Sequence, residues 1–123
     1  MLNLKEMGDK SLKPIVFKTA KGFVYFNYAE IIVCSAEGNT SLVFTTNSKT
    51  PLKILHNISF IERKYCTDKF LRCHKSHIIN LVHIKKLITK NHQIELNGSF
   101  IVPLSVECWR KIKNMSENNI QAI

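Results

Sequence analysis

Short β-branched and aromatic runs, each stopped by a turn signal after roughly five residues, constrain this chain most. Residues 15–19 (Ile-Val-Phe-Lys-Thr) form one such run, and Lys21-Gly22 stops it. Residues 23–28 and 31–35 repeat the pattern up to the turn Glu37-Gly38-Asn39-Thr40, and residues 41–46 and 51–55 follow. Further runs lie at 70–74, 84–88, 93–96 and 99–103, with Asn97-Gly98 as the strongest hairpin signal. Crossovers this short exclude a parallel α/β sheet, which needs a dozen residues or more per connection.

The period changes twice. Ser59-Phe60-Ile61-Glu62 matches a capping box, and Ile58, Ile61 and Tyr65 fall at helical spacing, so a helix is expected over 59–66. Ser105 is placed to cap a last helix over 105–113, with Val106, Trp109 and Ile112 on its buried side. A chain of 123 residues supports one domain with a real core. It divides into a polar lead-in or linker remnant (1–13), a domain (14–113) and a frayed tail (114–123). The expected fold class is mainly β with two short helices. Phe23, Tyr25 and Phe26 sit in dense apolar runs and are expected to be buried.

Charge narrows the partner. Eighteen Lys and Arg oppose nine Asp and Glu, a net +9, which suits a polyanion. The excess is densest from Arg63 to Lys90, where Lys64, Lys69, Arg72, Lys75, Lys85 and Lys86 also lie and only Asp68 opposes them. No apolar run approaches the roughly 20 residues that span a bilayer, and no signal-peptide pattern opens the chain. A cytoplasmic protein is expected, with no membrane partner and with Cys34, Cys66, Cys73 and Cys108 as reduced thiols.

The spacing Phe70-x-Arg72-x-His74-x-Ser76, followed by Ile78-Ile79-Asn80, resembles the signature of the LytTR family of bacterial DNA-binding domains. Ile31-Ile32 running into Glu37-Gly38-Asn39, and Val102-Pro103-Leu104-Ser105 before the last helix, extend the resemblance over roughly residues 15–113. It implies an elongated arrangement of short antiparallel sheets and a role in transcription regulation, commonly as part of a two-component response regulator. It implies loops that enter successive major grooves of duplex DNA, here Glu37 to Ser41 and the loop after His74, with Lys75 as reader. It also implies direct-repeat sites bound by a second copy of the domain. The family's third contact, a basic residue early in the last helix, is replaced by Val106-Glu107, with Arg110 and Lys111 one turn later.

The candidate contacts are Asn39, Thr40, Ser41, Arg72, Lys75, Ser76, His77, Lys85, Lys86 and Arg110. Lys75 can donate to guanine O6 and N7, or stand as a solvated cation. Arg72 can clamp a phosphate, but strand alternation sets it with Phe70 and His74, where it would be packed or paired within the domain. Asn39, Thr40 and Ser41 can read base edges or simply make the turn. Asn80 is expected to bond backbone groups at the turn after Ile79. His74, His77, His83 and His92 with Cys66 and Cys73 are ligand types for zinc, but Cys73 and His74 would point to opposite strand faces, so no metal site is expected. No nucleophile elbow or phosphate-cradling glycine loop is present. No enzyme, cofactor or small-molecule substrate is therefore expected. The alternatives are a small β-rich RNA-binding protein and a protein-interaction module without DNA binding.

Overall fold

The computed structural model describes residues 13–121, apart from the side chains of residues 120 and 121. Residues 1–12 of the expected lead-in lie outside the described residues. The elements run β1 (Ile15–Thr19), β2 (Gly22–Phe26), β3 (Ile31–Glu37), β4 (Thr40–Thr45), β5 (Leu52–Ile54), α1 (Ile58–Tyr65), β6 (Phe70–His74), β7 (His77–Asn80), β8 (Ile84–Ile88), β9 (Gln93–Leu96), β10 (Phe100–Pro103) and α2 (Val106–Gln121). Every strand pairing is antiparallel. The protein is mainly β, as its turn spacing predicts.

A five-stranded sheet, in the order β5-β4-β3-β7-β6, forms the centre. Alternate residues of its strands supply two cores. On one face Cys34, Val43, Phe70 and Ile78 pack with Ile15 and Phe17 of the β1–β2 hairpin and with Ile58 and Ile61 of α1. On the other, Val33, Cys73 and Ile79 pack with Ile94, Leu96 and Val102 of the sheet β10-β9-β8 and with Ile112 of α2. Ile78 and Ile79 are both fully buried on opposite faces. Each contributes roughly 1.5–3 kcal/mol of burial.

Several expectations are corrected. No strand is predicted over 77–80, yet β7 pairs with both β3 and β6 and lies inside the sheet. The Ser59–Glu62 capping box is not the cap of α1: Asn57 accepts from Phe60 N at 2.8 Å, which moves the helix start back to Ile58. Ser59 and Glu62 turn instead to Arg72. The last helix does not end at 113 but continues through residues expected to fray, to Gln121. Ser105 does cap it, accepting from Cys108 N at 3.1 Å, but Val106 is exposed, and Ile112 with half-buried Cys108 and Trp109 makes the packed side. Phe23 and Tyr25 are not buried: they alternate with Val24 and Phe26 and stand on the outer face of a two-stranded sheet, 67% and 65% exposed.

Asn80 is the polar pin of this fold. Fully buried, its amide donates to Tyr28 O (2.7 Å) and Ile31 O (2.8 Å), and its oxygen accepts from Val82 N (3.1 Å). One side chain thereby ties the exit of β7 to the entry of β3.

Candidate nucleic-acid interface

Antiparallel pairing gathers two turns at one end of the central sheet. Glu37 pairs with Thr40 across Gly38-Asn39, and His74 pairs with His77 across Lys75-Ser76. Ser35 faces His77, and Ala36 N donates to Ser76 O at 2.8 Å, so both tips leave the sheet at the same end. They are two strand spacings apart, roughly 10 Å. The start of α2 joins the row beyond β6, where Ser105 N donates to Cys73 O at 2.8 Å.

Each turn has its own local cause. Gly38 has a φ of 59°, the positive value that the first position of a II′ hairpin turn asks for. Asn39 is exposed at the tip, and the Thr40 hydroxyl donates to Glu37 O at 2.9 Å. Ser41, a candidate reader, is fully buried and donates to His56 O at 2.8 Å, so it serves the fold. Glu37 would repel phosphate, but Lys53 stands 3.7 Å from its carboxylate.

The Lys75-Ser76 turn uses no positive φ. Such two-residue turns splay their strands. A bulge between Arg72 and His74 absorbs the mismatch. Arg72 then locks the result. Its guanidinium donates to Lys75 O at 2.6 Å and to Glu62 at 2.8 Å, with Ser59 Oγ at 3.4 Å. Arg72 is therefore packed and paired within the domain, the second of its two sequence readings. It fixes the backbone from which Lys75, itself exposed, projects. His74 Nδ1 accepts from Ser76 N at 3.1 Å, and His77 Nδ1 meets Ser35 Oγ at 2.8 Å. Burial, and then the nearby His74, hold the His77 imidazole below its ordinary pKa.

Between α1, β6 and α2 lies an open cleft of about 480 Å³, with Lys75, His74, Glu107 and Lys111 on its walls. Lys111 lines this cleft together with Lys75, whereas Arg110 is exposed on α2 and does not line it. Lys85 and Lys86 are not brought to the tips. They lie on β8, in another sheet, and Lys85 is 3.8 Å from Glu95. Among the described residues no three His, Cys, Asp or Glu side chains are grouped to hold a metal, and no helix is long and apolar enough to cross a membrane. All four cysteines are free thiols.

The sequence offered Arg72 as packed or paired within the domain but did not reveal its partners, Lys75 O, Glu62 and Ser59. The signal was present in the Glu62 and Ser59 assigned to a cap, but pairing them with Arg72 requires the tertiary fold.

A model of the LytTr DNA-binding domain family matches residues 21–117. Among solved structures the chain is similar to the LytTr DNA-binding domain of a Bacillus cereus protein described as a methyl-accepting/DNA response regulator. The two are 20% identical over 82% of this chain and 94% of that one, with a TM-score of 0.67. No curated protein matches the sequence.

Proposed function

The chain belongs to the LytTr DNA-binding domain family, and from that premise we propose that it binds duplex DNA sequence-specifically, through the row of turns at one end of the central sheet. The observation that carries this reading is the exposed Lys75 on a turn whose backbone Arg72 clamps. A cation held on a fixed protruding turn can enter a groove and donate to guanine O6 and N7 without first ordering its loop. One such turn fits a major groove about 12 Å wide, and its neighbour about 10 Å away stands over the adjoining backbone. The row as a whole then addresses successive major grooves along one face of the duplex. Asn39 reads from the β3–β4 turn, and Lys111 takes the part of the cation missing at Glu107.

Net charge supplies the general attraction and the few tip residues supply the discrimination. The domain acts as the DNA-binding output of a response regulator, with two copies on direct repeats. Selection of bound sites from random duplex DNA tests this. Enrichment of a short element, recurring at a fixed spacing, is the expected outcome. Recovery of unenriched duplex, or tighter binding of single-stranded RNA than of any duplex, would refute it.

A further inference from the structure

We propose that the tip of the β1–β2 hairpin is a further DNA contact, with Lys18 and Lys21 on backbone phosphates and Phe23 against the adjoining sugar. The proposal rests on the DNA-binding reading above and adds a contact that the family match does not supply. The matched residues begin at Lys21, so Lys18 and the rest of β1 lie outside them.

The direction of β1 places the tip. Tyr65, the last residue of α1, holds Val16 through its hydroxyl, which donates to Val16 O at 3.0 Å and accepts from Val16 N at 3.1 Å. Two residues later, Lys18 O accepts from Leu55 N at 2.8 Å and Lys18 N donates to His56 Nε2 at 3.1 Å, just before α1 begins. Strand β1 therefore runs antiparallel to α1, towards the end of the central sheet where β5 finishes opposite Ser41. That is the end carrying the Gly38-Asn39 and Lys75-Ser76 turns. Residues 19–22 continue beyond Lys18 and extend the row past its β5 edge.

The tip is built rather than loose. The Thr19 hydroxyl donates to Gly22 O at 3.0 Å and accepts from Lys21 N at 3.2 Å. Gly22 has a φ of 134°, a backbone region that other residues rarely adopt. Lys18 and Phe23 face each other across the two strands, and Lys18, Lys21 and Phe23 are all exposed. Lys53 and Lys85 each have a carboxylate partner, whereas Lys18 and Lys21 form no ion pair among the described residues. An exposed ring between two cations, at a tip on the same end of the fold as the other turns, fits a sugar–phosphate backbone.

The test compares the wild-type chain with K18A/K21A and F23S by fluorescence anisotropy, on a selected duplex and on random duplex, over a range of salt. Two lost phosphate contacts reduce the log–log salt slope by about 1.8 and weaken binding about 30-fold at about 0.15 M salt, equally on both duplexes. F23S weakens both several-fold and leaves the slope unchanged. K113A, on the far part of α2, binds as wild type. Unchanged affinity and slope for K18A/K21A would overturn the proposal while leaving DNA binding by the domain standing. So would a loss confined to the selected duplex. A wild-type chain that binds neither duplex would overturn the DNA-binding reading itself.

Discussion

Replacing Asn80 is the most demanding test of how this fold is held. The residue has no exposed surface and makes three hydrogen bonds, all to backbone groups. At about 1 kcal/mol net per bond, Asn80→Ala costs about 3 kcal/mol, and the small void left behind adds to that. Tyr28 O is spared the full desolvation penalty because Ile31 N also donates to it. Asn80→Asp keeps the acceptor for Val82 N but turns a second oxygen towards two carbonyls and buries a charge. At neutral pH it therefore destabilises more than Asn80→Ala, by about 4–5 kcal/mol, a large part of the 5–15 kcal/mol typical of a domain. Burial and the facing carbonyls raise the folded pKa of that aspartate above its unfolded value. Protonation then favours the folded state, so the defect shrinks as pH falls from 7 towards 5. Urea unfolding followed by circular dichroism at both pH values measures this. A loss below about 1 kcal/mol for Asn80→Ala, or an Asn80→Asp defect that does not shrink in acid, would refute the reasoning.

Three further outcomes follow from the same geometry. The folded pKa of His77 lies below its ordinary 6.5, so below that pH the unfolded chain takes up the proton first and stability falls; above it the full stability is present. His77→Gln should flatten the stability–pH curve in that window, and an unchanged curve would count against the burial of the ring. Arg72→Ala loses a charged bond to Lys75 O and a partly exposed ion pair, about 2 kcal/mol in all; hydrogen exchange should show faster exchange at Ser76 and His77, and wild-type protection there would deny that Arg72 fixes the turn. Burial pushes the Cys34 and Cys73 thiols up to about 12, so in the native protein at pH 8 both should alkylate only as fast as the chain unfolds, which mass spectrometry of labelled peptides can time.

The sequence pattern was most legible where local chemistry decides the outcome. Turn residues Gly22, Gly38 and Gly98 all have positive φ, and the strands between them fall close to their predicted limits. Errors arose where tertiary partners overrule a local pattern. No strand is predicted over 77–80 because a four-residue strand carries too little alternation to announce itself. Ser59 and Glu62 have the spacing of a cap, yet Asn57 is nearer the helix start and Arg72 claims both side chains. Phe23 and Tyr25 looked buried because apolar composition is visible in sequence, whereas the lack of a covering layer over β2 among the described residues is not. For the interface, the family signature located Lys75 and the Gly38-Asn39 turn. Only the sheet order shows that these tips stand side by side, that Ser41 is buried, and that Lys85 and Lys86 belong to a different sheet.

The central claim is that Lys75, projected from a clamped turn, reads bases rather than merely neutralising phosphate. Competition titration of Lys75→Ala against a selected duplex and a random duplex tests it most directly. A loss of roughly 1–3 kcal/mol is expected on the selected duplex, with binding to random duplex nearly unchanged. Equal loss on both would make Lys75 a phosphate contact, and no loss on either would contradict its role in recognition altogether.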